Sequence, residues 1–522
     1  MNSQGSCVIA IAVFFVSLYS LFCIGHYGGD GYEDFLTAKS IALNHSLAFK
    51  GSSDSSESND IDELNYKKDA GIKGRDGRIY SSRGGIIIPI ILSIFYFIGH
   101  IISGSFKSIP HDFITMFFVS FFNPIVSAMN CLLIFLISSC LPFSRRTSIF
   151  LALIYGLATM VPVYARTGFE EPAMTSFILL AIYFILRFKN TVKRKYLVMG
   201  GIAMGLAVFT KSTAIIFLPA IIFYAGWVML SDLKKRSSFL KDAAMFLIPL
   251  LAVLVVIIGC NYFIYGKMLK FGGREALSVA GRVMEAPHVL KGLYYYLFST
   301  GKGLFLFNLP LILSFAGLMS VPSKRRKEAA LFILIFACNL LFFSMSFRRG
   351  SLFAWGPRYL YPSVAALVFL AGFFIENNRN LKGNLIAAVL SVTGFLIMAP
   401  CMFINQSKFY LFVKEKLNLP EYMINFIPDL SPILGAWKMF VSNLIFIARG
   451  IDAPFVYSPD QKFIPVTSAS MAGYNNFDFW FTKILYYKPE YAPAVYGIIL
   501  ALAAVVFISL VFIIREARKR GV

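Results

Sequence analysis

Apolar runs, each about long enough to cross a bilayer, alternate along this chain with short basic clusters, and that alternation limits what it can fold into. A crossing needs about 20 apolar residues, because the backbone must satisfy its own hydrogen bonds where no water is available. Of 522 residues, 57% are apolar and only 15% charged, whereas a soluble globular protein is about 25% charged. The expectation is an all-α polytopic membrane protein with about 12 transmembrane helices. No separate soluble catalytic domain fits between them.

Lys and Arg outnumber Asp and Glu 49 to 27, and position explains much of the surplus. Six clusters hold 21 of those cations: Arg145/Arg146, Arg187 to Lys195, Lys234 to Lys241, Lys324 to Lys327, Arg379/Lys382 and Arg515 to Arg520. Each flanks a short apolar span, as the positive-inside rule expects of cytoplasmic loops. This excludes nucleic acid as the reason for the charge. Crossings then fall near 147–163, 172–187, 196–209, 213–230, 243–265, 303–321, 329–346, 359–375, 384–404 and 492–514, with the C-terminus inside. The loops carrying Glu170, Lys211, Arg274 and Arg358, and the stretch 405–491, face outward.

Toward the N-terminus, Cys7 to Ile24 is a retained helix rather than a cleaved leader, since no basic stretch precedes it and no small-x-small site ends it. Phe113 to Leu141 is another span. Between them, Gly85 to Ile102, interrupted by Pro89, dips in and returns to the outer face. An outside N-terminus is the alternative, and it would put Asp30 and Glu170 on opposite faces. The domain organisation is a membrane module over 1–404, an outer loop region over 405–491, and a last helix with a basic tail over 492–522. Within the module lie a long outer loop at 25–84 and a re-entrant or juxtamembrane segment at 85–102. The seven cysteines lie in or beside apolar spans, so no disulfide framework is expected.

Candidate chemistry gathers in the outer loops. Asp30, followed by Glu33 and Asp34, stands just after the first span among Gly28, Gly29 and Gly31, which let backbone approach a ligand. A carboxylate so placed can accept a hydroxyl proton during group transfer. Glu170 and Glu171 open the next acidic loop, although Glu-Glu-Pro is also a good helix start. Arg274, Arg282, His288, Lys302, Arg348, Arg349 and Arg358 oppose the positive-inside trend. An inward-facing cation near a membrane needs an anion, and phosphate suits both the bidentate Arg and the point-charge Lys. Headgroup snorkelling accounts for Arg348 and Arg349. Lys211, between two short spans, is either an anchor of that kind or a phosphate ligand. The histidines His26, His45, His100, His111 and His288 show no HxxxH or HxH spacing, so zinc is weakly supported. No cofactor is assigned, and a divalent metal is left open.

Taken in order, GGDGYEDFLTAKSIA, GRDGRIYSSRGG, YARTGFEEPAM, GLAVFTKSTAIIFLP, STGKGLFLFNLP and WGPRYLYP make the chain resemble the GT-C-fold glycosyltransferases. That superfamily includes the protein O-mannosyltransferases and the lipid A aminoarabinose transferase. The resemblance implies a GT-C-like bundle and transfer of a hexosyl- or pentosyl-type sugar from a polyprenyl-phosphate carrier to a glycan, lipid or protein acceptor. It also implies membrane lipids as partners and a bacterial inner membrane with the site facing outward. By the same resemblance Asp30 would be the general base, assisted by Glu170 or Glu171. Lys211, Lys302 and Arg358, with Arg274 and Arg282 from the same basic loops, would hold the donor phosphate. A Gly follows Asp30 where the family pattern has a second acid, which argues against a paired-acid metal site there. One dominant base and no evident nucleophile predict inversion at the anomeric carbon. The competing reading is a lipid or glycan transporter or flippase, which would place ionisable groups near mid-membrane. A non-catalytic scaffold is a third.

Overall fold

The computed structural model describes residues 3–27, 31–49, 71–82, 85–106, 109–230, 238–268, 270–271, 274–275, 286–345, 354–405, 409–410, 413, 425–448 and 477–519. Helices dominate. In chain order they are α1 (Ser3–Leu21), α2 (Tyr32–Asn44), α3 (Ile87–Ser103), α4 (His111–Ser120), α5 (Phe122–Cys140), α6 (Arg145–Leu157), α7 (Val161–Tyr164), α8 (Glu171–Thr191), α9 (Lys195–Thr210), α10 (Leu218–Leu230) and α11 (Phe239–Tyr265). There follow α12 (Ala286–Phe298), α13 (Leu304–Phe307), α14 (Leu313–Met319), α15 (Arg326–Ser344), α16 (Tyr361–Asn377), α17 (Leu381–Met398), α18 (Pro432–Ala448), α19 (Trp480–Tyr487) and α20 (Ala492–Arg518). The strands form two small antiparallel ribbons, β1 (Ile72–Lys73) with β2 (Ile79–Tyr80) and β3 (Lys270–Phe271) with β4 (Arg274–Glu275).

Among the described residues, eight helical stretches are long and apolar enough to cross a membrane, and four shorter apolar helices accompany them. The expected all-α polytopic class therefore holds. Phe239–Tyr265 and Pro489–Arg518 bury little of their apolar surface in the protein; Val255, Phe263, Phe507 and Ile508 stay exposed, as lipid-facing side chains do. Three expected spans differ in detail. The span at 113–141 is two helices, because Pro124 has no N–H to give the Ser120 carbonyl, so the helix cannot run unbroken through Phe121. The span at 147–163 ends at Leu157 and turns into α7. The span at 303–321 breaks at Asn308 and Pro310 into α13, a 3-10 turn over Leu309–Ile312, and α14.

The chain packs as two compact units: Met1–Ile24 with Ser127–Arg166 and Glu285–Val522, and Gly25–Val126 with Thr167–Met284. In the first, α16 is apolar on all sides and buried from Tyr361 to Phe373, as such a helix must be. Gly317 of α14 comes so close to it that a Cβ would overlap the Leu370 carbonyl. Helix α15 runs antiparallel to α16: Asn339 Nδ2 donates to Ser363 Oγ at 2.9 Å, while Phe332 stacks on Phe369. At one end, Arg145 pairs with Glu516 at 2.5 Å, Glu376 accepts from the Ser144 N–H at 3.0 Å, and Asn377 donates to the Ser320 carbonyl at 2.6 Å. These contacts bring the clusters at 145–146, 324–327, 379–382 and 515–520 to a common end. At the other end, the tip of α1 is closed by the far end of the sequence. The Trp480 indole N–H donates to the Ser20 carbonyl at 3.1 Å, the Trp480 amide to Cys23 at 2.9 Å, and the Lys483 ammonium to Ile24 at 2.6 Å.

In the second unit α8 and α9 form an antiparallel hairpin, turned by Val192 in the left-handed region (φ +56°). Gly201 and Gly205 of α9 form a small-xxx-small face. A Cβ at Gly201 would overlap the Phe246 carbonyl, and one at Gly205 would sit 2.7 Å from Val253 Cβ. This brings α9 and α11 into close, parallel contact. Phe35, Leu92, Tyr96 and Val119 join α2, α3 and α4 in one core.

Candidate active site

Helix α8 opens at Glu171 because an acid and Pro172 suit a first turn. The antiparallel α9 ends beside it, at Thr210. Lys211 leaves the helix with extended backbone (φ −149°, ψ 119°). Its ammonium lies 2.6 Å from Glu171 Oε1 and 3.4 Å from Glu170 Oε2, with the side chains of Glu171 and Lys211 only 1% and 14% exposed. At that burial each charge depends on the other, since water no longer solvates them well. Arg194 pairs with Asp242 at 2.6 Å at the hairpin's opposite end, about 30 Å away along a helix of 21 residues. The acids and Lys211 thus stand at the end remote from the basic cluster at 187–195.

Because α11 is parallel to α9, its C-terminus reaches the Lys211 end. There the Tyr265 hydroxyl donates to the Ser81 carbonyl at 2.8 Å and the Arg75 N–H to the Ile264 carbonyl at 2.8 Å. A Cβ at Gly85 would overlap the Thr210 carbonyl, so the approach to α3 also lies against this end. Gly31, which follows position 30, is packed so closely on Gly168 that a Cβ would sit 2.6 Å from its carbonyl. Buried Glu33, in the first turn of α2, accepts from Ser81 Oγ at 3.0 Å, from the Ser82 N–H at 2.6 Å and from Ser82 Oγ at 2.9 Å. Three sequence-distant segments, after position 30, before Glu170 and at 81–82, therefore meet within one unit.

The remaining candidates divide. Asp30 and Arg282 lie outside the described residues. Arg274 pairs with Phe271 in the second ribbon, and its side chain is not described. Lys302 and Arg358 belong to the first unit and are nearly fully buried. The Lys302 ammonium donates to the Ala354 carbonyl and lies 5.6 Å from the centre of the Tyr410 ring, whose hydroxyl shares the same carbonyl at 3.1 Å. Burial, and then the charge of Arg358, push the Lys302 ammonium well below the ordinary lysine range. Arg358 lies 5.6 Å from the Tyr359 ring centre, after Gly356 at φ +53°.

Two contributors escaped the sequence reading. Glu33 was visible only as a neighbour of Asp30, and its serine partners lie 48 and 49 positions away. Arg166 sits inside YARTGFEEPAM, yet its buried guanidinium donates to the carbonyls of Phe22, Cys401, Ile404 and Asp478. It braces backbone; burial lowers its pKa, and the nearby Asp478 offsets part of that shift.

Residues 97–260 match the family model described as dolichyl-phosphate-mannose-protein mannosyltransferase. The resemblance drawn from the ordered motifs is met over that segment. No curated protein is similar enough in sequence to match the chain. Among solved structures it is similar to ArnT from Cupriavidus metallidurans in the apo state, at 13% identity over 99% of this chain and 78% of that one, with a TM-score of 0.47. It is also similar to ArnT from the same organism bound to undecaprenyl phosphate, at 15% identity over 98% and 76%, with a TM-score of 0.46.

Proposed function

We propose that the chain is a membrane glycosyltransferase that moves a sugar from a polyprenyl-phosphate carrier to an acceptor at the outer face, with inversion. One observation carries the reading: Glu170, Glu171 and Lys211 converge at the end of the α8–α9 hairpin where Gly31 meets Gly168. The family match over residues 97–260, whose description names a dolichyl-phosphate-linked sugar, supports the donor class. Asp30 takes the proton of the acceptor hydroxyl as that oxygen bonds to the anomeric carbon. The carbon–oxygen bond to phosphate breaks, and its electron pair leaves on the phosphate. Glu170 and Glu171 assist, oriented by Lys211. Lys211, Arg274 and Arg282, all of the second unit, supply the positive charge that favours the departing phosphate, where such charge has its largest effect on rate. The reaction is assigned to a bacterial inner membrane.

Asp30→Asn should lower transfer by about 10²–10⁴-fold, as removal of a general base does, with the variant still folding and inserting. Unchanged transfer overturns the base assignment. Product that keeps the donor's anomeric configuration overturns inversion.

A further inference from the structure

His100, in the last turn of α3, and His111, the first residue of α4, are eleven positions apart, yet their rings meet: His100 Nδ1 lies 2.8 Å from His111 Nε2. On its far side the His111 ring is held through Nδ1, 3.2 Å from Asp112 Oδ1. Asp112 is held in turn by Lys39 of α2, whose Nζ lies 3.1 and 3.0 Å from its two oxygens. Buried Tyr96 stacks on His100 and lies beside His111, with ring centres 6.4 and 6.2 Å away. None of these five residues takes part in the transfer chemistry proposed above.

The chemistry of this chain of contacts is directional. A carboxylate facing Nδ1 keeps the imidazole proton there and leaves the Nε2 lone pair bare, the usual arrangement behind a metal-ligating histidine. That lone pair points at the second imidazole nitrogen. Two nitrogens bound to one tetrahedral ion at about 2.0–2.1 Å stand about 3.3 Å apart, so the rings must open by about half an ångström and each turn by about 35° to aim its lone pair at the ion. His100 then carries its proton on the outer nitrogen, exchanged through solvent, because His111 is exposed and His100 partly so. Imidazole favours zinc, copper and nickel over the hard cations. Among the described residues no three ligating side chains converge; the site is the two imidazoles, with water completing the shell.

We propose that His100 and His111 form a two-imidazole site for a divalent transition-metal ion, Zn²⁺ as the working example, with Asp112 and Lys39 fixing the His111 ring, so that the metal clips α3 to α4. The test uses the full chain in detergent, stripped with chelator and free of any histidine tag, titrated calorimetrically with ZnCl2. Binding of one ion per chain is expected, together with a rise in the apparent melting temperature. Both should disappear in His100→Asn and in His111→Asn. Asp112→Asn should weaken binding about 10–100-fold, as loss of an outer-shell partner does. Melting of each variant in chelator, compared with stripped wild type, shows that the fold is retained. No uptake by the wild type overturns the proposal, and so does equal uptake by the double His100→Asn/His111→Asn variant.

Discussion

Lys211 shows how far a single residue can be read. Its sequence neighbourhood marked it as a cation between short spans, with anchor and phosphate ligand both open. What the sequence could not show is that Glu170 and Glu171, 41 and 40 positions away, meet it, because that depends on the antiparallel pairing of α8 with α9. The pairing makes a quantitative prediction. Lys211→Met leaves the buried Glu171 carboxylate without this cation and should destabilise the protein by about 3–5 kcal/mol. Adding Glu171→Gln should restore part of the loss. Chemical denaturation in detergent of the two single variants and the pair checks this, and strictly additive losses would contradict it. Glu33 makes a second case: Glu33→Ala takes its acceptor from the Ser82 N–H and the Ser82 hydroxyl, at about 1–3 kcal/mol for each hydrogen bond lost. Faster proteolysis within residues 71–82 than in the parent is the expected readout.

The helices themselves were largely legible, since long apolar runs bounded by cations leave the backbone few alternatives in a bilayer. The breaks at Phe121 and Asn308 were less so: a proline inside an apolar run marks a possible interruption without saying whether the chain turns there. Helix contacts depend on glycines whose role only a neighbour reveals. Gly201→Leu should force α9 away from the Phe246 backbone, costing more than the about 1–3 kcal/mol of ordinary overpacking. Gly259→Leu, on the contacting helix α11 but facing open space, should be tolerated. Yield of monodisperse protein after size exclusion distinguishes the two, and equal yields would refute the packing described for α9.

For the whole molecule, each unit independently sorts its charges, with basic clusters at one end and the candidate residues at the other. This is the pattern from which the sequence assigned sidedness, and it supports placing positions 31 and 170 on one face. An impermeant thiol reagent should label a cysteine at Gly77 from outside the cell and one at Lys193 only after permeabilisation, measured against the parent chain; labelling of both from the same side would reject the topology. The domain division drawn from loop lengths is a different kind of statement from the two packed units, because packing joins segments that the sequence separates by hundreds of residues. The seal at the tip of α1 shows what this means in time. The helix α1 is made well before Trp480 and Lys483, which arrive some 460 residues later. Until then the carbonyls of Ser20, Cys23 and Ile24 go without these three donors, and a ribosome that stalls short of residue 480 leaves behind a chain in which α1 is still unlatched.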